Sequence, residues 1–266
     1  MPPHVGPPQA VLLQFGLRGT PARLPGGQGT TWQMGDVVLK PHVDPAYQEW
    51  LGTEVAAIRQ LRFRLPSVVR AVDGSWVVGG WGAQSAVTGS PRAASAAGWH
   101  GVIDAGRALH DATAALARPA FLGHRTDPWA VADRQAWGEL PRAVPPELSG
   151  VVDRLLPALG PLGADQVVHG DLTTNVLHLP GEPPAIIDFS PYWRPPGYAE
   201  GVVVADALCW HDASPSLLDD VDVPLAAVAR GLLFRVLTAG LVHPRLSPAL
   251  VDEARRWGDV LAALHL

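Results

Sequence analysis

Length, composition and charge place this sequence among folded proteins with a sizeable core. Its 266 residues are 47% hydrophobic and 17% charged, which excludes an intrinsically disordered chain and is enough for one large core or two modest ones. The net charge of −5 argues against nucleic acid as a partner, because neutralising phosphates requires a basic face.

Residues 1–90 are predicted to form a small antiparallel sheet with one helix. Turn residues are expected at Gly35-Asp36 and at Asp73-Gly74, where glycine permits the tight backbone that joins two strands. The predicted elements are, in chain order, a strand that leads into a loop over 24–29, a hairpin of strands 31–34 and 37–40, a helix over 47–62, and a second hairpin over 67–78.

The amino-acid composition of the sequence changes after Trp81. Residues 82–97 are rich in Gly, Ser and Ala and contain Pro91, which predicts a connector with a domain boundary near residue 90. The second domain, 91–266, is predicted to be mainly helical around a short hairpin. Its predicted helices cover 96–116, 145–156, 202–211, 224–241 and 247–264, and its predicted strands cover 166–170, 176–179 and 185–188. The sequence therefore predicts an α+β, bilobal fold.

Lys40 is the only lysine in the chain, since the other 19 basic residues are arginine. It ends the predicted strand 37–40, shortly after the glycine-rich stretch 26–29. A lysine ammonium is a compact charge that fits between phosphate oxygens, whereas arginine is a wide planar fork. A glycine loop followed by a strand and a lysine is how kinase-like folds hold nucleotide phosphates. The pattern predicts a nucleotide-phosphate site; the alternative is a single lysine left at a random surface position.

Two neighbouring segments carry the residue types that phosphoryl transfer needs. The first reads His169-Gly170-Asp171 and continues to Asn175, and the second places Asp188 at the end of a predicted strand. Transfer requires a carboxylate that orients the acceptor hydroxyl and oxygen ligands that hold Mg²⁺ over the phosphates. Hard oxygen donors suit Mg²⁺ better than a transition metal. Each motif alone is weak, so their order and spacing are the evidence.

These motifs resemble those of the aminoglycoside phosphotransferase and choline kinase superfamily, relatives of protein kinases that phosphorylate small molecules. In that superfamily the catalytic loop reads His-Gly-Asp and then Asn, and the metal-binding segment reads Ile-Asp-Phe or Asp-Trp. The resemblance covers nearly the whole chain and implies a protein-kinase-like fold. The strings GGQGTTW, GDVVLKP and HGDLTTNVL are most similar to an uncharacterised actinobacterial group of phosphotransferase-like proteins.

The resemblance implies a role for each matching residue of the second domain. Asp171 corresponds to the catalytic carboxylate, and Asn175 and Asp188 correspond to the magnesium ligands. Asp206 corresponds to a buried aspartate that braces the catalytic loop. One departure is that Asn175 follows Asp171 by four residues where the superfamily usually has five. Either Asn175 reaches the metal from an altered turn, or a water or another oxygen replaces it.

The resemblance also implies a nucleotide site in the first domain. Lys40 corresponds to the phosphate cation, and Glu54 is expected to be its ion-pair partner, with Glu49 as the alternative. Gln84 and Val87 lie where the nucleotide base is expected. The loop whose backbone N–H groups approach the phosphates is expected to contain Gly26, Gly27, Gly29, Thr30 and Thr31.

A kinase that moves the γ-phosphate of ATP or GTP to a hydroxyl group, with Mg²⁺ as cofactor, is the implied function. The acceptor is a small molecule, either an antibiotic, which would make this a resistance enzyme, or a metabolite such as choline, a sugar or an amino alcohol. Acidic residues of the second domain favour a cationic acceptor or form a solvated loop. The rivals are a nucleotide-binding pseudoenzyme that acts as a sensor or binding module, and a protein kinase, which the Pro-rich sequence after Asp188 disfavours.

Other constellations in the sequence point less clearly to chemistry. His100, His110 and His124 fit no zinc-ligand spacing, so surface or helix-packing roles are expected for them. The single cysteine, Cys209, cannot form an intramolecular disulfide. The chain starts without the basic and apolar segments of a signal peptide, and its longest apolar runs are interrupted before the roughly 20 residues that cross a bilayer. We expect a cytoplasmic monomer or weak dimer without a membrane partner.

Overall fold

The computed structural model describes residues 6–25, 29–59, 62–91, 95–243 and 247–266. The chain divides into two compact units, an N-terminal unit of residues 1–89 with 179–187 and a C-terminal unit of residues 90–178 with 188–266. In chain order the described helices are α1 (Gln9–Gln14), α2 (Pro45–Trp50), α3 (Ala96–Thr113), α4 (Pro128–Ala136), α5 (Pro146–Leu155), α6 (Pro196–Trp210), α7 (Leu217–Val221), α8 (Leu225–Val242) and α9 (Pro248–Ala263). The described strands are β1 (Ala22–Arg23), β2 (Trp32–Met34), β3 (Val37–Lys40), β4 (Val68–Val69), β5 (Val77–Val78), β6 (Trp81–Ser85), β7 (Ser90–Pro91), β8 (Gln166–His169), β9 (Val176–His178), β10 (Ala185–Ile186) and β11 (Pro191–Arg194).

An antiparallel sheet forms the centre of the N-terminal unit. Its strand order is β1-β2-β3-β6-β4, and β5 also pairs with β6. The hairpin of β2 and β3 turns at Gly35, whose φ of 56° lies in the left-handed region that glycine adopts without strain. A turn is also present at Asp73-Gly74, where the backbone N–H of Ser75 donates to Oδ1 of Asp73 at 2.9 Å. The predicted hairpin at 31–40 and both predicted turns are confirmed.

Strand β6 covers residues 81–85, where the sequence predicted the start of the connector, so the predicted start at residue 82 was wrong. β6 pairs with β3, β4 and β5, which means that the second predicted hairpin is two short strands that each pair with β6. The small residues Gly82 and Ala83 serve close packing here. A Cβ atom on Gly82 would lie 3.1 Å from Gln48, and Nε2 of Gln48 donates to the carbonyl of Ala83 at 3.0 Å.

The predicted helix over 47–62 is shorter in the structure and begins earlier. Asp44 caps α2 by accepting from the backbone N–H groups of Ala46 and Tyr47, and α2 continues only as a π-helical turn over Leu51–Val55. The π turn includes Gly52, a poor helix former. The aromatic ring of Trp76 occupies the place that a Cβ atom of Gly52 would need.

Residues 9–14 form α1, a helix that was not predicted from the sequence. Val11, Leu12 and Phe15 are buried in one apolar cluster with Leu39 of β3 and Trp81 of β6. The N-terminal unit therefore contains a second helical segment besides the predicted one, and this helix covers the sheet.

Helices dominate the C-terminal unit, as the sequence predicted, and the predicted α+β class is confirmed. At the crossing of α6 and α8 the two backbones touch: a Cβ atom on Gly231 would lie 2.6 Å from the carbonyl oxygen of Gly201. Helix α8 is long and apolar enough to cross a membrane by length and composition, but 61% of it is buried inside the protein, as in the core helix of a folded domain.

Short strands hold the loops of the C-terminal unit. β8 pairs with β11 in antiparallel register, with His169 opposite Pro191 and Gln166 opposite Arg194. β9 pairs with β7, with Leu177 opposite Pro91. β11 and α4 were not predicted from the sequence, because neither has a clear apolar periodicity.

Replacing Gly201 by alanine is expected to lower the free energy of unfolding by about 1–3 kcal/mol or more, because the added methyl group collides with the backbone of Ala227 on α8. Gly258→Ala on α9 is the matched control. Nothing lies within 4 Å of a Cβ atom at that position, so the substitution is expected to be neutral or stabilising by up to about 1 kcal/mol. Urea denaturation of the two variants measures both effects, and equal midpoints would contradict the close helix crossing.

Candidate active site

The loop that carries Asp171 leaves β8 at a fixed position. A Cβ atom on Gly170 would lie 2.5 Å from the ring of Tyr192, so only glycine leaves room for that ring. The backbone N–H of Gly170 also donates to the carbonyl of Ser190 at 3.0 Å. The start of the loop is therefore attached to the segment that follows Asp188 in the chain.

Two buried histidines, His169 and His110, support the loop through hydrogen bonds. Nδ1 of His169 accepts from the backbone N–H of Asp171 at 3.1 Å, and its ring stacks on Phe189 with centroids 5.3 Å apart. The backbone N–H of His169 donates to Nε2 of His110 on α3 at 3.1 Å. Burial, together with the neighbouring His169, lowers the pKa of His110 to about 3, so His110 is neutral. This contact gives His110 a specific supporting role that the sequence did not reveal.

Asn175 folds back onto Asp171 through a tight turn. Its backbone N–H donates to the carbonyl of Leu172 at 3.0 Å, and its Nδ2 donates to the carbonyl of Asp171 at 2.7 Å. Nδ2 also lies 3.4 Å from Oδ2 of Asp171. The loop that is one residue shorter than usual thus still brings the amide of Asn175 beside the carboxylate of Asp171.

An arginine from α8 links this loop to α6. Arg235 donates from Nε to Oδ1 of Asp206 at 2.8 Å and from Nη2 to Oδ2 of Asp206 at 2.6 Å. The same Nη2 donates to Oδ1 of Asp171 at 2.8 Å, and the hydroxyl of Thr173 donates to Oδ2 of Asp206 at 2.7 Å. Burial acts to lower the pKa of Arg235, but the charges and hydrogen bonds of Asp206 and Asp171 outweigh it and raise that pKa.

Asp188 lies two residues beyond β10, which ends at Ile186 and not at Asp188 as predicted. Its φ of 53° is in the left-handed region, which aspartate tolerates better than most residues, and its side chain is exposed. The hydroxyl of Ser190 donates to the carbonyl of Asp188 at 3.2 Å. Since Ser190 and Phe189 contact the residues before Asp171, Asp188 is held in the same part of the C-terminal unit as the loop that carries Asp171.

The donor set of this region fits magnesium better than a transition metal. Asp188 offers carboxylate oxygens, and Asn175 offers Oδ1 because its Nδ2 is used in the bond to Asp171. Within the described ranges, no group of three or more His, Cys, Asp or Glu side chains is arranged to hold a metal ion. Mg²⁺ keeps several waters and needs only one or two carboxylates from the protein, so this small set of oxygens suffices.

The other predicted site residues belong to the N-terminal unit. Lys40 ends β3 opposite Gly82 of β6, and Gln84 lies on the same β6 strand. Glu54 is exposed on the π-helical turn after α2, and Val87 follows β6 in an irregular segment. Lys40 and Gln84 thus share the central strand pair of the sheet.

The predicted phosphate loop is described only in its second half. Gly29 has a φ of 65°, and its carbonyl accepts from Nε of Arg23 on β1 at 2.6 Å. Thr30 and Thr31 lead from Gly29 into β2, and the carbonyl of Thr31 accepts from the backbone N–H of Leu24 at 2.9 Å. The other predicted loop residues, Gly26 and Gly27, lie outside the described residues.

Solved structures with the same fold are kinases of small molecules by name. An aminoglycoside phosphotransferase from Alicyclobacillus acidocaldarius superposes with a TM-score of 0.60 at 15% identity, over 97% of this chain and 93% of that one. A thermostable mutant of aminoglycoside phosphotransferase APH(4)-Ia, in complex with ADP and hygromycin B, gives a TM-score of 0.59 at 15% identity over 97% of both chains. The choline kinase LicA from Streptococcus pneumoniae gives 0.58 at 11% identity, over 96% of this chain and 98% of that one. The chain therefore has the predicted protein-kinase-like fold.

The family follows from the sequence itself. The sequence profile of the phosphotransferase enzyme family, APH, matches residues 25–192, which include the loop at Gly29, Lys40, Asp171 and Asp188. The chain belongs to this family, as its motifs predicted. No curated protein matches the chain in sequence.

The buried, neutral His110 predicts a loss of stability in acid. Its pKa is about 3 in the folded state and about 6.5 in the unfolded chain, so the unfolded state binds the extra proton between these values. The contribution is complete above pH 6.5 and falls as the pH decreases, by up to about 1.4 kcal/mol per pH unit.

His110→Gln keeps an acceptor for His169 but cannot titrate, so its free energy of unfolding is expected to depend less steeply on pH between 6.5 and 4 than that of the wild type. His100→Gln, at an exposed position, is the control and is expected to keep the wild-type slope. Urea denaturation at several pH values measures the slopes. Equal slopes for the wild type and His110→Gln would contradict the buried neutral state.

Proposed function

We propose that this protein is a small-molecule kinase, which transfers the γ-phosphate of ATP or GTP to a hydroxyl group of its acceptor. The observation that carries the proposal is the Asp171 carboxylate. It is 47% exposed, yet Arg235, Asn175 and the histidine pair fix its backbone and side chain. A fixed and accessible carboxylate is what orients an acceptor hydroxyl in this kind of transfer.

In the proposed reaction, the acceptor hydroxyl donates its hydrogen bond to Asp171. The hydroxyl oxygen forms a new bond to the γ-phosphorus, and the bond from this phosphorus to the β–γ bridging oxygen breaks. The nucleoside diphosphate leaves with the bonding pair, and the hydroxyl proton passes to the Asp171 carboxylate. Most of the acceleration comes from positioning, because the protein itself forms no covalent bond.

Asp188 and Asn175 are the residues that would hold magnesium. When bound, Mg²⁺ would neutralise part of the negative charge on the β- and γ-phosphates. Lys40, with Glu54 as its proposed partner, would provide the phosphate cation, and the 26–31 loop would approach the phosphates with its backbone N–H groups. Gln84 and Val87 are proposed to contact the base. The complex of a similar protein with ADP and hygromycin B supports a nucleotide co-substrate.

The acceptor class is best supported as a hydroxyl-bearing antibiotic. One protein of the same fold was solved with hygromycin B bound and another is a choline kinase, so both antibiotics and amino alcohols belong in the test. Pooled antibiotics, choline and sugars are incubated with the protein, Mg²⁺ and either ATP or GTP, and analysed by mass spectrometry. A compound that gains one phosphoryl group identifies the acceptor and the nucleotide. Nucleotide binding without any phosphorylated product would favour a nucleotide-binding module instead.

Asp171→Asn is expected to lower kcat by about 10²–10⁴-fold, since the amide cannot accept the proton in the transition state. Nucleotide affinity is expected to stay within about twofold, and Arg235 keeps an oxygen acceptor. ADP release measures turnover, and titration calorimetry measures nucleotide binding. Wild-type turnover in this variant would show that Asp171 is not the catalytic carboxylate.

Lys40→Arg is expected to lower kcat/KM for the nucleotide by at least about 10-fold, although the positive charge is retained. The planar guanidinium cannot replace a compact ammonium between phosphate oxygens. Arg18→Lys, at an exposed position, is the matched control and is expected to change nothing. An unchanged kcat/KM in Lys40→Arg would remove Lys40 from the nucleotide site.

A further inference from the structure

Arg235 makes more contacts than a buried ion pair requires. Asp206 is only 5% exposed, and a buried carboxylate of this kind must be compensated. Nε and Nη2 of Arg235 and the hydroxyl of Thr173 already provide three hydrogen bonds to it. The additional bond from Nη2 to Oδ1 of Asp171 is therefore not needed to compensate Asp206.

Asp171 itself does not need the arginine for its solvation. Its side chain is 47% exposed, whereas that of Arg235 is 13% exposed. Ion pairs with an exposed partner add little to stability, because water solvates the charge almost as well. The contact therefore affects the geometry of Asp171 more than the stability of the fold.

The bond to Arg235 leaves the two oxygens of Asp171 with different surroundings. Oδ1 accepts from Arg235 at 2.8 Å, while Oδ2 lies 3.4 Å from Nδ2 of Asn175, a long contact. Oδ2 thus keeps capacity for a further hydrogen bond. Because the guanidinium is held by two bonds to Asp206, it cannot follow Asp171 if the carboxylate rotates.

We propose that Arg235 is a positioning residue, which fixes the Asp171 carboxylate so that Oδ2 accepts the hydrogen bond of the acceptor hydroxyl. This inference rests on the proposed kinase function. Arg235 touches neither the acceptor nor the phosphates in this scheme, and it acts only through Asp171. The other arginine of α8, Arg230, lies five residues before Arg235 and does not take part in this contact. Its Nη1 donates to the backbone carbonyl of Ala136.

Two variants of Arg235 test this role. Arg235→Lys keeps a positive charge for Asp206 but loses the fork that reaches two carboxylates at once. The double variant Asp206→Asn with Arg235→Gln removes both charges of the buried pair, so neither is left unpaired. Arg230→Lys is the matched control on the same helix. Urea denaturation first establishes that all three proteins are folded.

The kinetic readout is release of the nucleoside diphosphate from Mg²⁺-bound ATP, or from GTP if the pooled assay identifies GTP, with the identified acceptor or with water. Both Arg235 variants are expected to lose about 10- to 100-fold in kcat while the KM for ATP stays within about twofold, since a misplaced carboxylate slows the step without affecting nucleotide binding. Arg230→Lys is expected to keep both constants. If Arg235 served only to stabilise the fold, its variants would not show a lower kcat with an unchanged KM.

The second readout does not depend on turnover. In protein labelled with ¹³C-aspartate, the carboxylate signal of Asp171, assigned by its loss in Asp171→Asn, is expected to move in both Arg235 variants and to stay in Arg230→Lys. A wild type that releases no nucleoside diphosphate from ATP or GTP, either with water or with the pooled acceptors, would overturn the proposed kinase function. A wild type that releases ADP, with folded Arg235 variants of undiminished kcat or an unmoved Asp171 signal, would overturn only the positioning role.

Discussion

The close crossing of α6 and α8 is the constraint on which the active-site region depends. Gly201 and Gly231 let the two helix backbones touch, and this contact sets the distance between side chains that project from the same faces. Four residues beyond Gly231 on α8, Arg235 then reaches Asp206 on α6 with two hydrogen bonds. A wider crossing would separate the two charges, and a buried carboxylate without its partner is strongly destabilising. The glycines and the ion pair therefore depend on each other.

From this ion pair, hydrogen bonds extend into the loop that carries Asp171. Thr173 donates to Asp206 in the middle of the loop, and Arg235 holds Asp171 at its beginning. In addition, Nδ1 of His169 accepts from the backbone N–H of Asp171, and Nε2 of His110 accepts from the backbone N–H of His169. The loop is thus supported by α3, α6 and α8 together. Such support from rigid elements is what keeps a catalytic group in a productive geometry when its own segment is short.

The sequence predicted well those features that local pattern and motif chemistry determine. The hairpin at Gly35 and the long helices have clear periodicity or turn residues, and the motifs around Asp171 and Asp188 indicated the family. β6 was missed because the Gly and Ala residues that allow its close packing also occur in flexible connectors. Arg235 and His110 were missed for another reason. Both lie far along the chain from Asp171, and no local pattern shows which face of a helix will meet a loop.

Ion pairs in the C-terminal unit show why arginine, and not lysine, stands at several positions of the chain. Arg194 binds Asp133 through Nε and Nη2 and also contacts Glu139, Arg125 binds Asp127 through two nitrogens, and Arg235 binds Asp206 and Asp171. In each case the planar fork satisfies one carboxylate with two bonds, and for Arg194 and Arg235 it also reaches a second, which a lysine ammonium cannot do with the same geometry. Under the proposed function, the one lysine of the chain, at the end of β3, would bind nucleotide phosphates, which a compact cation fits better than a planar fork.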